Sequence, residues 1–121
     1  MKFLIADDSR LSRNKLSNII TELGHDVIDT ACDGQEAVDK FKEHKPEFIT
    51  MDLEMPIKRG NVAAQEILEL DSHVNIILIT SIVDKKELLS AIKFGVKKVL
   101  QKPVNKEKLE YAISELIKIE E

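Results

Sequence analysis

Five short hydrophobic runs alternate along the chain with segments in which apolar residues recur at helical spacing. The run from Val74 to Ile79 is almost entirely aliphatic, which is typical of a strand covered on both faces. The five runs therefore predict five strands separated by helices. The predicted strands are residues 2–7, 26–32, 47–52, 75–80 and 97–101.

The helical segments each carry one apolar face. Leu16, Ile19, Ile20 and Leu23 follow the i, i+3, i+4, i+7 rule, which lines up apolar side chains along a helix. The faces of the other four helices are marked by Ala37, Val38 and Phe41; by Ala63, Ile67 and Leu70; by Leu88, Ala91 and Ile92; and by Leu109, Ala112, Ile113 and Leu116.

Turn and cap residues agree with this division. Asp33 and Asp84 are each followed three residues later by Glu, the pairing that opens a helix, and Gly24 and Gly95 stand where left-handed caps end one. Five strand–helix units with short links imply a parallel sheet with helices on both faces, an α/β (βα)₅ doubly wound fold. With no linker or repeat in the chain, residues 1–121 are predicted to form a single domain.

Composition narrows the classes of function. The chain has 121 residues, 43% of them hydrophobic and 33% charged, and a net charge of −4, which argues against a general binder of nucleic acid or anionic membranes. No apolar stretch has membrane-spanning length, and the N-terminus does not resemble a signal peptide. Cys32 is alone, so a cytoplasmic location is the simplest inference. His25, His44 and His73 share no motif with it and predict no zinc site.

Charged side chains stand at the ends of three predicted strands. Asp7 and Asp8 follow the first run, Asp52 ends the third, and Lys102 follows the fifth. In an open parallel sheet such ends meet at one edge, where sites form. Carboxylates that lie so near to one another repel strongly. The cluster therefore predicts a divalent cation among the acids and an anion that joins the lysine. Alone, Asp7-Asp8 would be interpreted as a helix cap.

The chain resembles the receiver domain of two-component response regulators, of the stand-alone, CheY-like kind without an output domain. The resemblance covers the whole chain, and four separated motifs in the same order are specific where one would be weak. It implies a flavodoxin-like sheet with strand order 2-1-3-4-5. The motifs that carry it are Ile5-Ala6-Asp7-Asp8-Ser9-Arg10, Met51-Asp52-Leu53-Glu54-Met55-Pro56, Ile79-Thr80-Ser81 and Gln101-Lys102-Pro103.

The resemblance also implies a phosphoacceptor and a metal site. Asp52 would take a phosphoryl group from the phosphohistidine of a sensor histidine kinase or a histidine phosphotransfer protein. Mg²⁺, or Mn²⁺ in its place, would be held by Asp8, Asp52 and the backbone carbonyl of Glu54, with Asp7 close by through water. Enzyme activity would be limited to phosphorylation and dephosphorylation of Asp52 itself.

Two further residues would bind the phosphoryl group, and one family feature is missing. The resemblance implies that Lys102, followed by a cis bond to Pro103, pairs with phosphoryl oxygens. It also implies that the Thr80 hydroxyl donates a hydrogen bond to a phosphoryl oxygen. An aromatic switch residue usually follows Thr80 inwards, but Val99 stands at that position. We therefore expect the fourth helix and its preceding loop to shift by backbone motion instead.

Two other departures from the family pattern concern the lifetime of the phosphoryl group and the binding of partners. The resemblance implies that Glu54 and Ile82 would flank the path of a water that attacks the phosphoryl group, although Ile82 is equally well interpreted as a partly buried loop residue. Lys58-Arg59 is interpreted as a solvated basic loop, with a partner contact as the alternative.

Two surfaces are predicted to bind proteins. Residues 84–108 hold eight lysines and three acidic residues on the helix 4/strand 5/helix 5 face, which is either a solvated surface or a patch that attracts an acidic target. By family analogy, kinase docking would use Leu11 and Asn14 of the first helix, with Val104 nearby. The protein is expected to be a monomer that could dimerise on phosphorylation, without nucleic-acid or membrane partners.

Two alternatives share these residues. An intermediate phosphotransfer relay would use the same site and pass the group on to another histidine. A Mg²⁺-dependent phosphatase with an aspartate nucleophile is the less favoured alternative, since such enzymes need a second aspartate two residues after the nucleophile, where this chain has Glu54.

Overall fold

The computed structural model describes residues 1–81 and 84–120 and contains one five-stranded parallel sheet in the order β2-β1-β3-β4-β5. The predicted fold class and strand order are confirmed, and the predicted strand limits differ from the observed ones by one residue at most. The elements are β1 Lys2–Ala6, α1 Arg10–Glu22, β2 Asp26–Ala31, α2 Gly34–His44, β3 Phe48–Asp52, α3 Gly60–Leu70, β4 Asn75–Thr80, α4 Lys85–Phe94, β5 Lys98–Gln101 and α5 Lys106–Glu120.

Helices cover both faces of the sheet because successive strand residues point to opposite sides. On β1, Phe3 and Ile5 pack with α1 and α5, whereas Leu4 and Ala6 pack with α2, α3 and α4. The sheet therefore separates two hydrophobic cores, and the burial of β1, β3 and β4 on both sides explains their nearly continuous apolar sequence.

The predicted caps form, with one difference at α4. Asp33 accepts a hydrogen bond from the Glu36 amide at 2.7 Å, and the Glu36 carboxylate accepts one from the Cys32 amide at 3.2 Å. Asp84 caps α4 in the same way, but the carboxylate of Glu87 turns to Arg59. Gly24 and Gly95 have φ angles of 89° and 121°, so both have the positive φ expected of a glycine that ends a helix.

None of the helices in the described ranges is both long and apolar enough to cross a membrane.

Candidate acidic site at the carboxyl edge of the sheet

The predicted acidic cluster forms where β1 and β3 end. These strands are paired in register, Ala6 opposite Met51, so Asp7 and Asp52 are neighbours at the sheet edge. Asp7 is 1% exposed and Asp52 6%, whereas Asp8 lies at the surface. A carboxylate oxygen from each of the three lies within 4.8 Å of the others. The sequence motifs are thus brought into one group of oxygen atoms.

Lys102, the residue directly after β5, joins this cluster. Its peptide bond to Pro103 is cis, as the resemblance implied, and its amide donates to the Thr80 carbonyl at 2.8 Å. The Nζ atom lies 3.2 Å from Asp7 Oδ2 and 3.2 Å from Asp52 Oδ2. The lysine therefore bridges two carboxylates that would otherwise repel each other.

Local hydrogen bonds fix the other carboxylate oxygens. Asp7 Oδ1 accepts from the Ser9 amide at 2.9 Å, and Asp52 Oδ1 accepts from the Glu54 amide at 3.2 Å. Ser9, and neither aspartate, caps α1, since its side chain accepts from the Ser12 amide. The interpretation of Asp7-Asp8 as a helix cap is therefore wrong. Both acids face the site, and neither caps α1.

Burial makes the cluster electrostatically costly. It raises the pKa of Asp52 to about 6, with Lys102 opposing this effect and Asp7 adding to it. Burial also lowers the pKa of Lys102, but the charges of Asp52 and Asp7 outweigh it and leave that pKa above its usual value. One ammonium thus compensates the buried carboxylates only in part, and a further cation would stabilise them.

The donor set fits a hard divalent cation. Carboxylate oxygens of Asp7, Asp8 and Asp52 converge within 4.8 Å of one another, and all are the oxygen ligands that Mg²⁺ prefers. The exposed position of Asp8 leaves room for the water ligands that Mg²⁺ usually keeps.

Two glycines that sequence reasoning missed hold the loop after β3, residues 53–59, hereafter the β3–α3 loop. A Cβ atom on Gly60 would lie 2.0 Å from the Asp52 carbonyl oxygen, and one on Gly34 would lie 2.0 Å from the Lys58 carbonyl oxygen. The Gly60 amide also donates to the Leu53 carbonyl at 2.8 Å. The available signal was a glycine at the first position of two predicted helices, where a side chain would block close backbone approach.

The two predicted switch residues lie on the sheet face covered by α4. Thr80 ends β4 and is 1% exposed, and Val99 is half-buried in β5 opposite Leu78, two residues before Thr80. Val99 packs against the same core as α3 and α4. The structure thus places both residues on the sheet face that α2, α3 and α4 cover. Ile82, the predicted flank of the attacking water, lies outside the described residues, whereas Glu54 is half-buried.

The Lys58-Arg59 pair is not the freely solvated loop that its sequence predicted. Lys58 Nζ lies 2.5 Å from Glu66 Oε2 on α3, and Arg59 Nη2 lies 2.8 Å from Glu87 Oε1 on α4. The second pair joins residues 28 positions apart, which no local pattern could indicate.

A family model described as the response regulator receiver domain matches residues 3–114. The chain belongs to this family. Receiver domains act in two-component signalling, and phosphorylation and Mg²⁺ binding at an acidic pocket are typical of them.

Curated receivers resemble the chain along almost its whole length. The chemotaxis protein CheY of Thermotoga maritima is 36% identical over 117 residues, which are 97% of this chain and 98% of the relative. CheY of Halobacterium salinarum is 38% identical over 114 residues, 94% of each protein. The chain is therefore similar to single-receiver proteins of chemotaxis.

A solved receiver supports the same assignment. The CheX–CheY–BeF₃–Mg²⁺ complex from Borrelia burgdorferi contains a chain that superposes with a TM-score of 0.93 at 30% identity, covering 97% of this chain and 89% of that one. That structure pairs a receiver with a partner protein, magnesium and beryllofluoride.

Proposed function

We propose that this receiver accepts a phosphoryl group on Asp52 from a partner phosphohistidine and thereby changes its binding of a target protein in the cytoplasm. The observation that carries the proposal is the convergence of Asp7, Asp8, Asp52 and Lys102 at one sheet edge. An Asp52 carboxylate oxygen forms a bond to phosphorus while the bond from phosphorus to the histidine nitrogen breaks, and the imidazole leaves with the electron pair of that bond.

The acidic residues would hold the metal ion and orient the acceptor. Asp8, Asp52 and the backbone carbonyl of Glu54 are the proposed ligands of Mg²⁺, with Asp7 acting through water. When bound, the ion neutralises charge on the phosphoryl oxygens. The hydrogen bond from the Glu54 amide to Asp52 Oδ1 holds the acceptor carboxylate in one orientation.

Lys102 and Thr80 would bind the transferred group. Lys102 already lies 3.2 Å from Asp52 Oδ2, so its ammonium can follow the negative charge from carboxylate to phosphoryl oxygen. Thr80 ends the neighbouring strand, and its hydroxyl would donate a hydrogen bond to another phosphoryl oxygen. The charge added by phosphorylation then acts directly on β4 and β5.

A cavity beside the site supports docking of the phosphodonor at α1. It has a volume of about 310 Å³ and reaches from Asp7 and Lys102 to Lys15 and Val104. Leu11, the predicted docking residue at the start of α1, is 81% exposed. An apolar side chain of the donor could enter this cavity while its phosphohistidine faces Asp52.

The α4/β5/α5 surface is the proposed target face. Its apolar side chains Leu89, Ile92 and Tyr111 are 59%, 52% and 65% exposed. The same surface also has exposed lysines, among them Lys85, Lys86, Lys93 and Lys97. Such a surface suits a target that offers acidic and apolar side chains together. By analogy with the Borrelia receiver, a CheX-like protein is one candidate.

Incubation with acetyl phosphate and Mg²⁺ tests the proposal. We expect stable incorporation of one phosphoryl group per chain, measured by intact-protein mass spectrometry, and no incorporation in Asp52→Asn or after chelation of the metal. Glu54→Gln is a matched control beside the acceptor that keeps the backbone ligand. Continuous hydrolysis of a phosphomonoester would instead favour the phosphatase, and transfer from labelled protein to a histidine phosphotransfer domain would identify a relay.

A further inference from the structure

An ion pair links the β3–α3 loop to α4. Arg59 Nη2 donates a hydrogen bond to Glu87 Oε1 at 2.8 Å. Arg59 stands at the start of α3, and Glu87 lies in the first turn of α4. The Glu87 side chain is only 20% exposed and that of Arg59 48%, so solvent screens this contact less than a fully exposed pair. The proposed phosphoryl chemistry gives this pair no role.

The arginine end of the pair is firmly anchored. Arg59 precedes Gly60, which lies so close to the Asp52 carbonyl that a Cβ atom would be 2.0 Å from it. The Arg59 side chain makes no capping hydrogen bond to α3, which leaves it extended towards α4. A movement of Asp52 and its loop is therefore passed to Arg59 through backbone contacts.

The glutamate end lies on a weakly packed helix. Ala91 is the one fully buried residue of α4, with Leu88 and Phe94 packed against the core in part. The carboxylates of Glu87, Glu54 and Asp84 all act on the Arg59 guanidinium and hold its pKa above the usual value. Without that cation, Glu54 of the loop, Glu87 of α4 and the α4 cap residue Asp84 would repel one another.

We propose that the Arg59–Glu87 pair holds the first turn of α4 against the β3–α3 loop in the resting protein and opposes the shift of α4 on phosphorylation. The inference rests on the proposed function, because that function requires α4 to respond to Asp52. A contact made in only one of two states biases the equilibrium by its own free energy. Phosphoryl binding and α4 release are then coupled reciprocally, so loss of the pair favours both.

Hydrogen exchange of residues 84–95, measured by mass spectrometry in the metal-free protein, tests the resting contact. We expect about twofold to fivefold faster exchange in Arg59→Ala and in Glu87→Gln, the range of a partly exposed ion pair. The double variant should be no faster than either single variant, because both remove the same interaction. Lys58→Ala is the matched control, since it removes the neighbouring cation of the same loop, whose partner Glu66 lies on α3. Its α4 exchange should equal that of the wild type.

Addition of Mg²⁺ with beryllofluoride separates this inference from the proposed function. Arg59→Ala should reach half-saturation, read from protection of residues 48–56, at about a twofold to fivefold lower beryllofluoride concentration than the wild type. Wild-type binding with unchanged α4 exchange in Arg59→Ala, or additive effects in the double variant, would overturn the ion-pair proposal alone. Absence of beryllofluoride binding to every variant would overturn the coupling and the proposed function together.

Discussion

The region around β3 and α3, which carries Asp52, is packed far more tightly than the α4–β5 region. Every residue of β3 is buried, whereas β5 has three half-buried residues and one exposed residue. Helix α3 buries five residues and α4 buries one. Phosphoryl transfer needs fixed geometry, and signalling needs an element that moves at low cost, so the difference in packing matches the two tasks.

Gly60→Ala should disturb the tightly packed region around β3 and α3 most severely. Its Cβ would lie 2.0 Å from the Asp52 carbonyl oxygen, and the nearest atoms around it are all backbone atoms, so the strand or the helix must shift. We expect a loss of about 3 kcal/mol or more in the free energy of unfolding, measured in urea, together with slower phosphorylation. Gly24→Ala is the control, because a Cβ there meets no atom within 4 Å and only its positive φ adds strain. Equal losses in the two variants would contradict the close packing at Asp52.

Truncation of one isoleucine in each helix sharpens the contrast between α3 and α4. Ile67 of α3 is fully buried, so Ile67→Ala should cost about 2–5 kcal/mol through lost burial and a cavity. Ile92 of α4 is 52% exposed, so Ile92→Ala should change stability by about 0.5 kcal/mol or less. Chemical denaturation measures both, and a large loss in Ile92→Ala would mean that α4 is not the loosely held helix.

Removing the Asp52 charge should stabilise the cation-free protein in a pH-dependent way. Burial raises the pKa of this acid from 3.8 to about 6, so its favourable contribution is present below 3.8 and is lost as the pH rises through about 6. Above that pH, we expect Asp52→Asn to be about 1–3 kcal/mol more stable than the wild type. Thermal unfolding in a chelator, against pH, measures the difference.

Magnesium supplies the control for this prediction. The advantage of Asp52→Asn should shrink or reverse when the ion stabilises the wild-type carboxylates. A variant that is less stable than the wild type at every pH without metal would refute the electrostatic cost assigned to Asp52.

Val99→Tyr tests the α4–β5 region with the smallest expected change. If α4 shifts by backbone motion, an added ring at Val99 should leave phosphorylation-dependent target binding within about twofold of the wild type. Binding to a CheX-like candidate target with and without beryllofluoride is the measurement, and Val99→Ile is the control for side-chain volume. A large gain would contradict the backbone-shift account and would mean that the native switch is weak.

Strand ends and cap residues were predictable because their signals are local. The runs ending at Asp7 and Asp52 specified the acidic edge, and parallel pairing then brought the two acids together. Contacts such as Gly34 with Lys58 and Arg59 with Glu87 join segments that only the folded chain brings together. The periodicity of apolar residues along the sequence therefore could not indicate them. The extra residue Ile28 in the pairing of β2 with β1 was equally invisible, since an alternating pattern with one insertion still reads as a strand.

Mapping the phosphoryl group after reaction with acetyl phosphate tests the central claim most directly. The account predicts that tandem mass spectrometry finds the group on Asp52 alone and that incorporation requires a divalent cation. A phosphoryl group on another residue, or an undiminished rate of incorporation in a chelator, would contradict it.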